Sequence, residues 1–312
     1  MAAGTPTDAP GAAAIGRRRR RPLEQAVLLL LAAAATVSIL VTIGIVFTLL
    51  EEGIPFFTQG DVSLWDFLSG TTWQPVSGAF GVLPLLWASV YIALIAAVVA
   101  IPLGLGSAIY LSEYAPGRVR RSVKPVLELL AGMPTIVLGF FALDSIIPAL
   151  QDLGIVKETQ LFSALGAGIV VGVLITPLIS SLSEDAMRAV PTSMREGAYG
   201  VGATRRHVAT RIVFPAALSG ITAGIVLGLS RAVGETMAVT LAAGTQPNLT
   251  LDPTAPMQTI TAYIVQVSQG EAARGSVQYE SIFAVGILLF LVTLIINLVA
   301  VRFVRRFRTV YQ

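Results

Sequence analysis

Charged residues are scarce in this chain. Asp, Glu, Lys and Arg together make up 12% of its 312 residues, while hydrophobic residues make up 54%. A soluble globular domain carries about 25% charged residues. This shortage excludes a soluble enzyme, a disordered protein and a nucleic-acid reader. Together with a mean hydropathy of +0.78, it indicates a chain whose main solvent is lipid.

Cysteine is absent, and histidine occurs once, at His207. The lack of cysteine excludes a disulfide framework and a thiolate metal site. A single histidine leaves little room for a histidine-based metal centre or a catalytic triad. We therefore predict no metal site and no catalytic residue in this chain.

Long runs without charged residues locate the predicted membrane spans. About 20 helical residues cross a hydrocarbon core of roughly 30 Å, and backbone groups in lipid must bond within their own segment. The runs predict an all-α, polytopic membrane protein. Its six transmembrane helices are expected at about residues 25–50, 83–111, 125–150, 160–183, 216–242 and 281–303. Because Glu128 and Asp144 lie near the ends of the third, a re-entrant segment is the alternative there.

Basic residues orient the chain. If the N-terminus is cytoplasmic, all but three of the 21 Lys and Arg residues lie on the cytoplasmic side. The exceptions are Lys157 and Arg274 outside, and Arg231 within a span. This positive-inside bias predicts that both termini are cytoplasmic. Residues 1–21 are expected to be a disordered basic arm, followed by a transmembrane domain over 22–312. The first apolar run is longer than that of a cleaved signal.

The fifth predicted span combines small residues with two charges. Gly220, Gly224 and Gly228 recur every four residues, a spacing that lets another helix approach closely. Arg231 and Glu235 extend the same helix face, and their i, i+4 spacing would allow an ion pair. An ionisable pair near the middle of the bilayer indicates a transport path. A buried ion pair that only fixes helix packing is the alternative.

A second polar feature is Gly132-Met133-Pro134-Thr135 in the third predicted span. Proline removes a helix hydrogen bond, and broken membrane helices are tolerated where they are buried or line a cavity. An unwound turn here would present backbone N–H groups suited to an anion. An ordinary proline kink is the alternative.

The longest basic segment between spans is the loop at 184–215. Ser193 and Glu196 have the spacing of a capping box, which predicts a short helix. Gly202 would follow its end, and a second helix would run to Pro215. The loop is either a solvated amphipathic connector or a docking surface for a cytoplasmic partner.

The spacing within this loop resembles the signature of ABC-importer permeases. That signature is Glu-Ala-Ala, three residues, Gly, nine residues, Ile, one residue, Leu-Pro. The chain has Glu196-Gly197-Ala198, then Gly202, Ile212 and Phe214-Pro215 at matching distances. It departs from the signature at Gly197, where alanine is usual, and at Phe214, where leucine is usual.

Further motifs between about residues 60 and 308 are similar to the phosphate-specific permease family called PstC. They are Thr71-Thr72-Trp73-Gln74-Pro75, Phe80-Gly81-Val82-Leu83-Pro84, Ile101-Pro102-Leu103-Gly104, Tyr110 to Pro116, Gly132 to Thr135, and Arg231 to Thr236.

This resemblance implies a type I ABC importer permease fold in a bacterial cell membrane. It implies a PstA-like second permease, two PstB-like ATPase subunits, a PstS-like extracytoplasmic phosphate-binding protein and inorganic phosphate as substrate. The segment from Glu196 to Gly202 would be the helix that docks on the ATPase. ATP and Mg would be bound by that ATPase, because this sequence has no Gly-rich phosphate loop. No cofactor and no nucleic acid are expected to bind this chain.

Two other functions are compatible with parts of the pattern. A permease for sulfate, molybdate or an amino acid would share the loop signature. An ion-coupled secondary transporter would usually need inverted repeats or more acidic residues, and neither is visible.

Overall fold

The computed structural model describes residues 22–58, 60, 62–270 and 272–307. The predicted basic arm at 1–21 lies outside these residues. The helices and strands are α1 (Pro22–Thr58), α2 (Leu64–Ser69), β1 (Trp73–Gln74), β2 (Ala79–Phe80), α3 (Leu83–Ile109), α4 (Gly117–Ala131), α5 (Thr135–Phe141), α6 (Ile147–Asp152), α7 (Ala164–Arg188), α8 (Thr192–Gly200), α9 (Arg205–His207), α10 (Phe214–Ala216), α11 (Leu218–Val233), α12 (Met237–Ala243), α13 (Ile260–Gln269) and α14 (Val277–Phe307). Short π-helical turns extend α3 over Tyr110–Tyr114, join α5 to α6, and join α9 to α10.

Five helical stretches in the described ranges are long and apolar enough to cross a membrane. They are Glu24–Thr58, Leu83–Tyr114, Thr135–Asp152, Ala164–Arg188 and Val277–Arg302. A sixth results if Arg205–Ala216 and Leu218–Val233, which meet at a bend of 71°, are counted as one span. The prediction of an all-α polytopic protein is confirmed, apart from one short hairpin in which β1 and β2 have two residues each.

The third predicted span, at 125–150, was wrong in its position. The helix ends at Ala131 and begins again at Thr135, so the apolar stretch covers 135–152. α4 before the break is a basic amphipathic helix. Pro134 cannot donate a helix hydrogen bond. As a result Asp144 lies near the middle of the apolar stretch, on its exposed side.

The fifth predicted span, at 216–242, is not one helix. α11 ends at Val233, and α12 begins at Met237 after the break Gly234–Thr236. The Glu235 side chain stabilises this break, because its Oε1 accepts a hydrogen bond from the Ala238 N–H at 3.4 Å. Thr261 Oγ1 donates to the Glu235 carbonyl at 2.8 Å. These partners replace bonds that an unbroken helix would form.

The chain divides between Thr48 and Leu49 into two compact units. In the first, residues 24–48 of α1 form an almost uniformly apolar helix whose side chains are mostly exposed, such as Leu29 and Leu30. An apolar helix without a polar face suits a lipid environment.

α7 is the centre of the second unit and is more buried than the other four apolar stretches. Its glycines let α3 approach closely. A Cβ added at Gly168 would lie 2.6 Å from Ile95 Cβ, and one at Gly172 would lie 2.8 Å from Val99 Cβ. Small residues therefore bring the two backbones together.

One end of this unit is held by an aromatic cluster, which we call the aromatic end. Phe56, Phe67, Trp73, Phe80 and Tyr263 contact one another edge to face, a geometry that aromatic rings favour. The cluster is built from α1, α2, the hairpin and α13. α2, the hairpin and α13 were not predicted from the sequence, because each is too short to show a clear hydrophobic period.

The other end, which we call the basic end, contains α8 and the last turns of α3 and α7. Its apolar cluster includes Ala108, Met187, Ala198, Val208 and Ile221. α3 starts beside the aromatic cluster and ends at this one, so the two clusters lie at opposite ends of α3.

Candidate functional site

Arg231 joins the two helix breaks. It lies in the last turn of α11, and its Nη2 donates to the carbonyl of Ala131 at 3.2 Å. Ala131 is the last residue of α4, so its carbonyl lacks a partner within the helix. A cation beside the C-terminal end of a helix also interacts favourably with the helix dipole. The structure thus brings Arg231 next to Gly132–Pro134.

The guanidinium of Arg231 keeps donors for a further acceptor. The side chain has five N–H donors, and within the described residues we find one hydrogen bond to it. Arg231 is half-buried. This combination of a positioned guanidinium with unused N–H groups suits a planar or tetrahedral oxyanion.

The expected ion pair between Arg231 and Glu235 does not form in the part of the chain that the structure describes. The i, i+4 geometry requires a continuous helix, but α11 ends before Glu235. The Glu235 residue is buried, with 8% of its surface exposed. Arg231 therefore precedes the second break, and Glu235 lies within it.

Hydroxyl groups from α3 and α13 support the Glu235 backbone. Thr261 Oγ1 bonds to the Glu235 carbonyl, and Thr259 Oγ1 lies 3.0 Å from Thr261 Oγ1. Ser89 Oγ on α3 accepts from the Ile260 N–H at 3.1 Å. Sequence reasoning missed these three side chains, since single hydroxyls in apolar segments carry no spacing signal. Of these side chains, only Thr259 has a recognisable sequence signal, because it is the N-cap residue of α13.

The Gly132–Thr135 break differs from the expected anion site in one respect. The N–H groups of Gly132 and Met133 bond to Leu129 and Leu130 carbonyls at 3.0 and 3.2 Å. They are therefore used within the turn and are not free for a ligand. Met133 packs against the apolar cluster that α3, α7 and α12 share, while Gly132 and Pro134 are exposed.

The three glycines of α11 face α7. A Cβ at Gly224 would lie 3.0 Å from Leu182 Cβ, and one at Gly228 would lie 2.8 Å from Ile179 Cγ1. A Cβ at Gly220 would overlap Ala186. Gly228 precedes Arg231 by less than one turn, so this packing also fixes the height of Arg231 against α7.

The predicted docking segment forms α8, but the predicted capping box does not. α8 begins at Thr192, and Pro191 occupies the cap position without a side-chain hydrogen bond. Ala198 is buried at the basic end, while Ser193, Glu196 and Gly197 are exposed. Gly202 has a φ of +83°, a left-handed conformation that ends the helix.

The second half of that loop runs from Arg205 to Ala216 and then bends by 71° into α11. Ile212 is half-buried and Pro215 is exposed near the bend. The arrangement leaves one face of α8 uncovered in the described chain, next to a bend that leads towards Arg231.

An ion cluster ties α4 to α7 at the basic end. Glu184, which is almost fully buried, accepts from Arg120 Nε and Lys124 Nζ, both at 2.7 Å. Lys124 also contacts Asp185. Burial alone would lower the pKa of Lys124, but its hydrogen bonds to Asp185 and Glu184 outweigh burial and raise that pKa.

Comparison with known proteins adds a family and a fold. Residues 100–309 match the family described as binding-protein-dependent transport system inner membrane component. A probable ABC transporter permease of Bacillus subtilis, YqgH, is 34% identical over 82% of this chain and 83% of its own. The phosphate transport system permease PstC of Mesorhizobium japonicum is 35% identical over 76% and 77%.

Solved structures support the same fold. A bacterial ABC transporter that imports alginate has a TM-score of 0.63 at 18% identity, covering 90% of this chain and 96% of that one. The methionine transporter MetNI has a TM-score of 0.58 at 19% identity, covering 76% and 100%. At this identity the likeness shows the fold alone.

Proposed function

Because the chain belongs to the family of binding-protein-dependent transport system inner membrane components, we propose that it is the membrane-spanning permease of an ATP-driven inorganic phosphate importer. The observation that carries the substrate assignment is Arg231, held between two broken spans with unused donors. Relatives described as phosphate permeases, at 32–35% identity, support the same substrate.

Phosphate is proposed to bind at Arg231 during passage. Placing an arginine at the centre of a membrane-spanning helix costs roughly 2.5–3.5 kcal/mol on insertion scales. Its hydrogen bond to Ala131 directs the guanidinium towards the first break. Phosphate oxygens accept bidentate hydrogen bonds from such a group. Gly132 to Thr135 would then line the path beside Arg231.

Glu235 is proposed to distinguish phosphate from sulfate. Phosphate near neutral pH carries a protonated oxygen, whereas sulfate does not, so phosphate can donate a hydrogen bond to a carboxylate. Glu235 is buried within the second break, and in the described part of the chain it forms no ion pair with Arg231. A carboxylate in this position would accept from phosphate and repel sulfate.

Transport is proposed to follow alternating access, driven from outside the chain. A PstS-like binding protein would deliver phosphate at the aromatic end, which would face outward. Two PstB-like ATPases, which bind ATP and Mg, would dock on the uncovered face of α8, including Ser193, Glu196 and Gly197. A PstA-like permease would supply the other half of the path. Both termini would then be cytoplasmic, in agreement with the basic residues around α4 and α8.

Labelled-phosphate uptake tests this proposal in cells that express the complete transporter. Arg231→Ala should abolish uptake, and Arg231→Lys should restore part of it, because a point charge lacks the bidentate fork. Arg274→Ala, which removes an exposed arginine outside the site, serves as the matched control. Glu235→Gln should weaken phosphate uptake and increase inhibition by sulfate. Unimpaired uptake in both Arg231 variants, at equal amounts of protein, would contradict the proposed site.

A further inference from the structure

Arg195 connects the docking helix α8 to two spans. It lies in α8 beside the exposed Glu196, but its own side chain is only 17% exposed. Its Nη1 donates to the Val190 carbonyl at 2.6 Å, and its Nη2 donates to the Met187 carbonyl at 2.8 Å and to Glu113 Oε1 at 3.0 Å. One guanidinium thus bonds to acceptors on two other segments.

The two carbonyl acceptors belong to the end of α7. Met187 lies in its last turn, and Val190 follows shortly after. Carbonyls at the end of a helix lack intrahelical partners, and a cation there also interacts favourably with the helix dipole. Arg195 therefore caps α7 from a neighbouring helix.

The third acceptor, Glu113, lies on the π-helical turn that extends α3. Its side chain is 4% exposed, and Ser112 Oγ also donates to its Oε1, at 2.9 Å. Charge-assisted bonds between buried groups are strong, and breaking one leaves a buried charge without a partner. The contact between α8 and α3 is consequently rigid.

We propose that Arg195 is the positioning residue that makes α8 move as one body with α3 and α7. This inference rests on the proposed function, in which an ATPase displaces α8. From α7 the displacement reaches α11, because Ile179 contacts Gly228 close to Arg231. The displacement would pass from the ATPase to α8, then to α7, and from α7 to α11 and the substrate site. Arg195 makes the first of these connections within the chain.

The test uses the complete transporter in proteoliposomes, with phosphate-loaded binding protein added outside. Phosphate uptake and ATP hydrolysis are measured together for Arg195→Gln, Glu113→Gln and the double variant. Each single change should lower the phosphate imported per ATP roughly tenfold, the effect of losing one charge-assisted hydrogen bond. The double variant should lose less phosphate import per ATP than the product of the two single losses, since both changes remove the same contact.

Arg188→Gln is the matched control. Arg188 lies at the same end of α7, but it is exposed, and among the described residues its one ion pair is with Glu184 at 3.8 Å. A purely structural role for Arg195 would lower the amount of assembled transporter and leave the uptake per ATP unchanged. Equal uptake per ATP in Arg195→Gln and Arg188→Gln would overturn the proposal. If Arg195→Gln does not assemble, Glu113→Gln carries the same comparison.

A distance measurement provides a second readout. The chain has no cysteine, so Leu103→Cys on α3 and Tyr199→Cys on α8 accept spin labels once cysteines in the partner subunits are replaced. With Arg195 present, the distance distribution between the labels should stay narrow with and without trapped ATP. It should broaden in Arg195→Gln, and an unchanged distribution would contradict a rigid contact.

Failure of the function and failure of the rigid contact give different results. If the parent transporter hydrolyses ATP with loaded binding protein but imports no phosphate, the proposed function is wrong. If the parent imports phosphate and Arg195→Gln does so with equal efficiency, only the rigid contact is wrong.

Discussion

Replacing Gly172 with alanine would test how closely α7 and α3 must pack. A Cβ at this position would lie 2.8 Å from Val99 Cβ and 3.0 Å from the Ala96 carbonyl oxygen. Carbon atoms in contact are normally about 3.5–4.0 Å apart. Because both obstacles belong to backbone or to a branched Cβ, they cannot rotate away, so the two helices must separate by roughly 1 Å.

The expected cost follows from overpacking. Adding a methyl group to a tightly packed core costs about 1–3 kcal/mol, whereas alanine in a helix gains about 1 kcal/mol over glycine from propensity. Gly106→Ala supplies the matched control, since nothing lies within 4 Å of a Cβ at that position of α3. It should leave stability unchanged or raise it.

The assay is thermal unfolding of the purified transporter, followed by retention of the assembled peak in size-exclusion chromatography. Gly172→Ala should have a midpoint roughly 2–12 °C below that of Gly106→Ala, because both gain the same helix propensity and only Gly172→Ala has the overpacking cost of about 1–3 kcal/mol. Equal midpoints for Gly172→Ala and Gly106→Ala would refute the close approach of the two helices.

Two further changes have defined outcomes. Gly202→Val should leave the transporter assembled but reduce phosphate imported per ATP, because its φ of +83° is strained for a branched residue; Gly202→Asn should be milder, and equal coupling in both variants would contradict the requirement for this turn. Glu184→Gln should lower the free energy of unfolding by roughly 1–3 kcal/mol, and with it the thermal midpoint, because Arg120 and Lys124 lose a buried charged partner. A midpoint like that of Arg188→Gln, whose exposed pair contributes under about 1 kcal/mol, would show that the buried cluster adds no stability.

Much of the site was predictable from residue type. An arginine within an apolar run is unusual enough to stand out, and the glycines at four-residue spacing indicated a close helix contact. The bond from Arg231 to Ala131 was not predictable, because it joins residues 100 positions apart. The same holds for Arg195, which looks like any basic loop residue until Glu113 is placed beside it.

The two breaks show where local reasoning failed. Pro134 predicted the first break, although the N–H groups of Gly132 and Met133 are bonded within the turn. The second was missed, since Gly234, Glu235 and Thr236 continue an apolar helical pattern without a proline. The end of α11 depends on Glu235 capping α12 and on Thr261 reaching its carbonyl. The first partner is local, but Thr261 comes from a segment 26 positions further along the chain.

The membrane setting, the all-helical class and the basic loop are all legible in the amino-acid sequence, as is Arg231 within an apolar run. These follow from composition and from spacing along one chain, because lipid forces backbone bonds to be local. The tertiary structure alone decided where the helices break and which acceptors Arg231 and Arg195 find. Such contacts depend on how separate helices pack, as where Gly168 and Gly172 bring α7 close to α3.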